Sequence, residues 1–192
     1  MKRYVLFDLA VILDKAQYLS DVSRGLGTWD QARAAGVDEP TIDRLHVARD
    51  GHYQEYLRTQ PIEIDGVVDV LAELSRHARP AIVTTAERAD FDLIHERRQI
   101  RAFMDLVLVR EDYQSAKPDP EPYLAGLQRF GAARSDTLVV EDSSRGLRSA
   151  VAAGIDCAVV DDSFTRDGDF AGARYRIHTL RELVDIVRGE VG

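Results

Sequence analysis

Thr137-Leu-Val-Val-Glu-Asp-Ser-Ser-Arg-Gly-Leu-Arg-Ser-Ala-Val-Ala-Ala-Gly154, followed by Cys157-Ala-Val-Val160, is the stretch that decides the fold. A short apolar run at Thr137–Val140 reads as a strand, Ser144–Ala153 as a helix ended by Gly154, and Cys157–Val160 as a second strand. Strands that are apolar on both faces and alternate with helices belong to a parallel sheet covered on both sides.

Working outward, the same alternation recurs. Apolar runs at residues 3–7, Ala81–Val83 and Leu106–Val109 are expected as strands, and Val67–His77, Ala89–Arg98, Glu121–Phe130 and Leu180–Arg188 as helices. Asp65-Gly66 and Gly131 punctuate two of these ends. Residues 16–60 break the alternation: they hold no convincing strand and read as three helical segments parted by Gly25-Leu26-Gly27 and by Gly36–Pro40. The expected architecture is therefore α/β. A Rossmann-like parallel sheet with helices on both faces forms a core from residues 1–15 and 61–192, and a small all-helical cap of residues 16–60 is inserted after the N-terminal strand. Ligands of open parallel sheets sit beyond the carboxyl ends of the strands, so such an insert lies over the site.

Composition limits the function classes. With 45% hydrophobic and 30% charged residues the chain is globular, and no apolar run approaches the roughly 20 residues needed to span a bilayer. The start resembles a signal peptide only superficially, because Asp8 interrupts its apolar stretch. A net charge of −8 argues against nucleic-acid and membrane partners. Cys157 is the only cysteine, which excludes a disulfide framework and fits a cytoplasmic setting. Oligomeric state is not legible.

Six polar residues fall at one edge of the expected sheet. Asp8 ends the N-terminal strand, Thr84 and Thr85 follow the second, Lys117 lies in the loop Ala116-Lys117-Pro118-Asp119-Pro120, and Glu141-Asp142 ends a later strand. Singly, each has a plain structural reading: a helix cap for an Asp, β-rich filler for the threonines, an N-cap for Asp142-Ser143. Their joint order is what carries chemistry. A carboxylate can attack phosphorus and form an acyl phosphate, a lysine neutralises phosphoryl charge, and hard carboxylate oxygens suit Mg2+.

The segments Val5-Leu6-Phe7-Asp8-Leu9, Ile82-Val83-Thr84-Thr85, Ala116-Lys117-Pro118-Asp119-Pro120 with Tyr123, and Glu141-Asp142-Ser143-Ser144-Arg145-Gly146 leading to Ala152-Ala153-Gly154 resemble, in order, the four motifs of the haloacid-dehalogenase-like (HAD) hydrolase superfamily. The resemblance covers nearly the whole chain and is nearest the helical-cap phosphatases and phosphoglucomutase-like proteins. It implies an Mg2+-dependent phosphatase-type hydrolase acting on a small phosphate ester. Asp8 would be the nucleophile and Thr84 a donor to the phosphoryl group, with Thr85 beside it on the substrate and Lys117 as the balancing cation. Mg2+ would be held by Asp8, Asp142 and the backbone carbonyl of Ala10, and Glu141 would hold a metal-bound water.

One departure matters. The superfamily's first motif reads Asp-x-Asp-Gly, and its second Asp supplies the acid/base proton; here the sequence is Asp8-Leu9-Ala10-Val11. Alanine has no proton to give, so a phosphoaspartate is expected to break down slowly. Two alternatives stay open: a non-catalytic phosphate- or partner-binding pseudo-phosphatase, and a phosphonate hydrolase of the phosphonoacetaldehyde type, whose members share that Ala but need a cap lysine. The lysines are Lys2, Lys15 and Lys117, and none lies in the cap beyond Lys15. Arg24, Trp29, Arg49, His52 and Tyr53 are the cap side chains that could meet a ligand, and His46, within Leu45-His46-Val47, reads as packed.

Overall fold

The computed structural model describes residues 28–59, 66–96, 98–160 and 168–190. Its helices are α1 (Thr28–Ala34), α2 (Glu39–Thr59), α3 (Val67–Leu74), α4 (Arg88–His95), α5 (Glu121–Phe130), α6 (Ser144–Ala153) and α7 (Glu182–Arg188). Its strands are β1 (Ala81–Val83), β2 (Leu106–Leu108), β3 (Leu138–Glu141), β4 (Asp156–Val160) and β5 (Tyr175–Ile177). All pairings are parallel: β1 with β2, β3 with β4, and β4 with β5. The expected N-terminal strand, with Asp8 and Ala10, lies outside the described residues.

Strand β4 shows why the chain folds in layers. Successive side chains of a strand point to opposite faces, and here both faces are apolar. Cys157 and Val159 belong to a core with Tyr123 of α5 and Leu147, Ala150 and Ala153 of α6, whereas Ala158 belongs to a core with Ile177 and Leu183 of α7. Helices therefore cover both sides of a parallel sheet, the expected α/β arrangement.

The best-marked helices have the expected limits. In α6, the Ser143 hydroxyl accepts the Gly146 N–H at 3.1 Å, and Gly154, at φ 71°, ends the helix in the left-handed conformation that glycine adopts without steric cost. Gly131 does the same for α5. Elsewhere the periodicity outruns the regular helix. The turn at residues 75–77 continues α3 with one helical bond from Ser75 to Leu71 and then tighter i→i−3 bonds from Arg76 to Glu73 and His77 to Leu74, and α7 starts two residues later than Leu180. Strand β5 is absent from the sequence reading, because three residues with Arg176 between Tyr175 and Ile177 carry too short a pattern to register.

Between α1 and α2, the break expected at Gly36–Pro40 is present: Gly36 has φ 82°, and the Asp38 carboxylate accepts the Thr41 N–H at 2.8 Å to start α2. Helix α2 packs on α4, where Gln54 donates to Asp90 at 3.2 Å. Residues 16–27 lie outside the described set. No described helix is long and apolar enough to cross a membrane.

Helix α4 carries a titratable group in an apolar setting. His95 stacks on Phe91 with ring centroids 4.3 Å apart, and its Nδ1 is buried without a hydrogen-bond partner among the described residues. Burial, followed by the nearby Arg98 and Arg101, lowers its pKa from 6.5 to about 4. Between those values the unfolded chain binds more protons at this site than the folded one, so folding weakens as pH falls through that window. Thermal midpoints measured from pH 7 to pH 4.5 are expected to fall, and His95→Gln to lessen that fall. An unchanged slope in the variant would show that His95 is not the group responsible.

Candidate functional site

The sheet edge is built around Glu141, the last residue of β3, which is 8% exposed. A buried carboxylate is costly unless its oxygens are paired. Here the Lys117 ammonium and the Tyr123 hydroxyl both donate to Oε1, at 2.6 and 2.5 Å, and the Ser143 hydroxyl donates to Oε2 at 3.0 Å. Burial pushes the Glu141 pKa up, but Lys117, Tyr123 and Ser143 outweigh it and the carboxyl stays ionised below the usual range. The Tyr123 phenol, buried beside that carboxylate, is pushed far up and stays protonated.

Lys117 gains its position from three sides. Its ammonium donates to the Val83 carbonyl at the end of β1 at 3.0 Å, as well as to Glu141 at the end of β3, and lies 4.6 Å from the centroid of the Tyr123 ring. Its loop is fastened by the Ser149 hydroxyl, which donates to the Asp119 carbonyl at 2.6 Å, and by Glu121, which accepts the Gln114 and Ser115 N–H groups. Lys117 thus ties β1 to β3 at the carboxyl edge of the strands.

Thr84 follows β1 directly. Its N–H donates to Leu108 of β2, its carbonyl accepts the Tyr113 hydroxyl at 2.7 Å, and its Oγ1 accepts the Ala86 N–H at 3.1 Å. With that lone pair taken, the hydroxyl hydrogen is left to donate elsewhere. The Thr85 hydroxyl accepts a bond from Arg145 of α6 at 3.1 Å. Neither Tyr113 nor Arg145 is among the expected site residues. Arg145 stands inside the fourth motif, whereas Tyr113 has no local signal, because its partner is 29 positions away.

The structure therefore brings Thr84, Thr85, Lys117, Glu141 and Asp142 to one edge, and Asp8 and Ala10 lie outside the described residues. Asp142 follows β3 and is half-buried. Its hard oxygen donor suits Mg2+. Glu141 differs: with Oε1 committed to two donors, only Oε2 could face a metal-bound water. Among the described residues, no group of three His, Cys, Asp or Glu side chains is placed to hold a metal. Cys157 is buried and its thiol is pushed up to about 12, which removes it as a nucleophile.

Of the side chains expected as possible ligand contacts, Trp29 and Arg49 pack together. The Arg49 guanidinium lies 5.8 Å from the centre of the Trp29 ring, the Trp29 and His46 rings are 5.2 Å apart, and Asp50 pairs with both Arg49 and His46. Tyr53 is half-buried, with its phenol pushed up by burial and then by Asp90, and His52 is exposed. Arg24 lies outside the described residues.

Gly146 is the least replaceable small residue here, since a Cβ on it would sit 1.9 to 2.1 Å from the Glu141 carboxyl atoms. That carboxylate is pinned by three donors and cannot swing away without leaving Lys117 unpaired. Gly146→Ala and Glu141→Gln are each expected to cost about 3 kcal/mol in urea unfolding, the scale of breaking a buried pair. The double variant should cost clearly less than the sum, because both act on one interaction. Full additivity would separate the two positions.

Residues 15–160 match the model of the haloacid dehalogenase-like hydrolases. Protein CbbY encoded on a plasmid of Cupriavidus necator is 34% identical over 149 residues, covering 75% of this chain and 58% of the relative. Pyrophosphatase PpaX of Oceanobacillus iheyensis is 29% identical over 152 residues, covering 79% of this chain and 71% of the relative. The crystal structure of CbbY from Rhodobacter sphaeroides in complex with phosphate superimposes with a TM-score of 0.66 at 26% identity, covering 74% of this chain and 65% of that one. A mutant of that CbbY has been solved with xylulose-(1,5)bisphosphate. The chain thus spans less than two thirds of the CbbY relatives it matches. Matching the family's model over most of its length, the chain belongs to the haloacid dehalogenase-like hydrolases.

Proposed function

We propose that the protein is an Mg2+-dependent phosphatase-type hydrolase that works on a small phosphate ester through an aspartyl-phosphate at Asp8, slowed by Ala10. The observation that carries this reading is Lys117, held between the Val83 carbonyl and Glu141 one residue from Thr84, at the edge where ligands of parallel sheets bind. The phosphate bound by the CbbY of Rhodobacter sphaeroides and the sugar bisphosphate bound by its mutant support a small phosphorylated substrate.

In this reading the Asp8 carboxylate attacks phosphorus, the ester oxygen leaves with the electron pair of the broken P–O bond and takes its proton from solvent or from the substrate, and water then cleaves the phosphoaspartate. Thr84 donates its hydroxyl to a phosphoryl oxygen, with Thr85 beside it. Lys117 faces the same group and keeps Asp8 ionised. Asp8, Asp142 and the Ala10 carbonyl would hold Mg2+, with Glu141 meeting a metal-bound water through Oε2. Bound there, the cation would screen the repulsion between Asp8 and the phosphate dianion. Residues 16–60 form the cap over this edge, and residues 1–15 and 61–192 the core. The single buried thiol fits a reducing, cytoplasmic setting.

General acid–base catalysis is worth about 10²- to 10⁴-fold. An alanine at position 10 therefore leaves weak turnover, best with aryl or acyl phosphates whose leaving groups need no proton. The second reading, a phosphate-binding pseudo-phosphatase, rests on that same alanine. The third, a phosphonate hydrolase, has no cap lysine beyond Lys15 to form a Schiff base.

With Mg2+ and an aryl phosphate, weak hydrolysis is expected, lost in Asp8→Asn and removed by chelation. Ala10→Asp is expected to raise turnover at least tenfold, within the scale of a restored proton donor. Activity that survives Asp8→Asn would end the nucleophile assignment. Phosphate binding without turnover in either the native protein or Ala10→Asp would select the pseudo-phosphatase.

A further inference from the structure

The charges along this edge do not balance in favour of an anion. Lys117 and Glu141 form an ion pair whose side chains are only 9% and 7% exposed, so the lysine's charge is matched by a partner it cannot leave cheaply. Asp142 adds a negative charge, and the chain as a whole carries −8. Of the other cations on these loops, Arg110 donates to the carbonyls of Tyr113 and Gln114, and Arg88 pairs with Asp112.

Arg145 is placed differently. It sits in the first turn of α6, three residues after Asp142, and reaches across 60 positions of sequence to donate one N–H to the Thr85 hydroxyl at 3.1 Å. Among the described residues that neutral hydroxyl is its hydrogen-bond partner, and no carboxylate pairs with it. Its charge also reaches the Tyr113 phenol, whose hydroxyl holds the Thr84 carbonyl. The guanidinium thus meets the Thr84–Thr85 loop at Thr85, while Lys117 meets the same strand end at the Val83 carbonyl. A guanidinium carries five N–H donors in a planar fork that matches two oxygens of a phosphate, which an ammonium cannot do.

We propose that Arg145 is an anion-binding residue of this site, held over Thr85 so that its guanidinium takes an oxygen of the same phosphate group that Thr84 and Lys117 address. This rests on the phosphatase reading above, but it assigns the net positive side chain of the site to α6 and makes Thr85 the positioning residue for it. The anion is a dianionic phosphate monoester or inorganic phosphate, whose second negative charge answers the guanidinium.

The test is calorimetric titration of the full chain with inorganic phosphate in the presence of Mg2+, at two ionic strengths. Arg145→Gln removes the charge and, being two bonds shorter than arginine, the bond from Nη2 to Thr85. It is expected to weaken phosphate binding at least tenfold and to flatten its salt dependence, and Arg145→Lys to restore most of the affinity. Thr85→Val, which keeps the charge but removes its support, is expected to weaken binding at least threefold. Wild-type protein that binds phosphate while Arg145→Gln binds within twofold of it overturns the proposal and leaves the phosphatase reading intact. Wild-type protein that binds no phosphate overturns both. Should Arg145→Gln fail to fold, Arg145→Met decides on the same two readouts: binding weakened at least tenfold with a flattened salt dependence supports the proposal, and affinity within twofold of wild type overturns it.

Discussion

The ion pair between Lys117 and Glu141 is the constraint on which the site depends. Placing two opposite charges in a dry interior costs several kcal/mol per ion before any attraction is counted, and such pairs are poor sources of net stability. What they impose is geometry. Once Glu141 is buried, its oxygens must be met, and Tyr123 from α5 and Ser143 from the start of α6 meet them. Once Lys117 is buried, a second of its three donors goes to the end of β1. One pair thereby fixes two helices and two strand ends against each other, and it does so where the proposed phosphate site would need its cation held still.

The pair also explains a residue choice that helix propensity opposes. A glycine inside a helix is worse than alanine by roughly 1 kcal/mol. Gly146 occupies the first turn of α6 because the Glu141 carboxylate lies where a Cβ would be. The same turn gives its N–H to Ser143, whose hydroxyl then bonds Glu141, so a helix cap and a charge anchor share one side chain. Local structure and site chemistry are one network here, and a change to either disturbs both.

How much of this is legible in the sequence depends on how local the cause is. Helices α5 and α6 carry apolar spacing, an N-terminal signal and a glycine in the left-handed conformation just past the end, and they have the expected limits. Strand β1 is a bare apolar run and is likewise as expected. Strand β5 is not legible, since its place is set by pairing with β4 rather than by three residues of its own pattern. The meeting of Thr84, Lys117, Glu141 and Asp142 follows from each standing at a strand end or in a loop on the same edge, which topology alone dictates. The contacts of Tyr113 with Thr84 and of Arg145 with Thr85 are different: they join positions 29 and 60 residues apart, and only the packed loops create them. Trp29 and Arg49 show the converse, residues whose chemistry suits a ligand but which the fold packs on each other and on His46.

A site of this kind separates binding from turnover. Lys117, Thr84 and Arg145 would meet phosphate oxygens in the bound ester, in the phosphoaspartate and in the transition states between them, and interactions felt equally in all of these lower the concentration of ligand needed without speeding the chemical step. The proton at the leaving oxygen is needed only as the bond breaks, and the side chain at position 10 has none to give. The loss therefore falls on the barrier and spares the affinity. A chain with these cations and hydroxyls and with alanine at position 10 would, on the proposed reaction, hold a phosphate firmly and release it slowly, or act on substrates that leave without a proton.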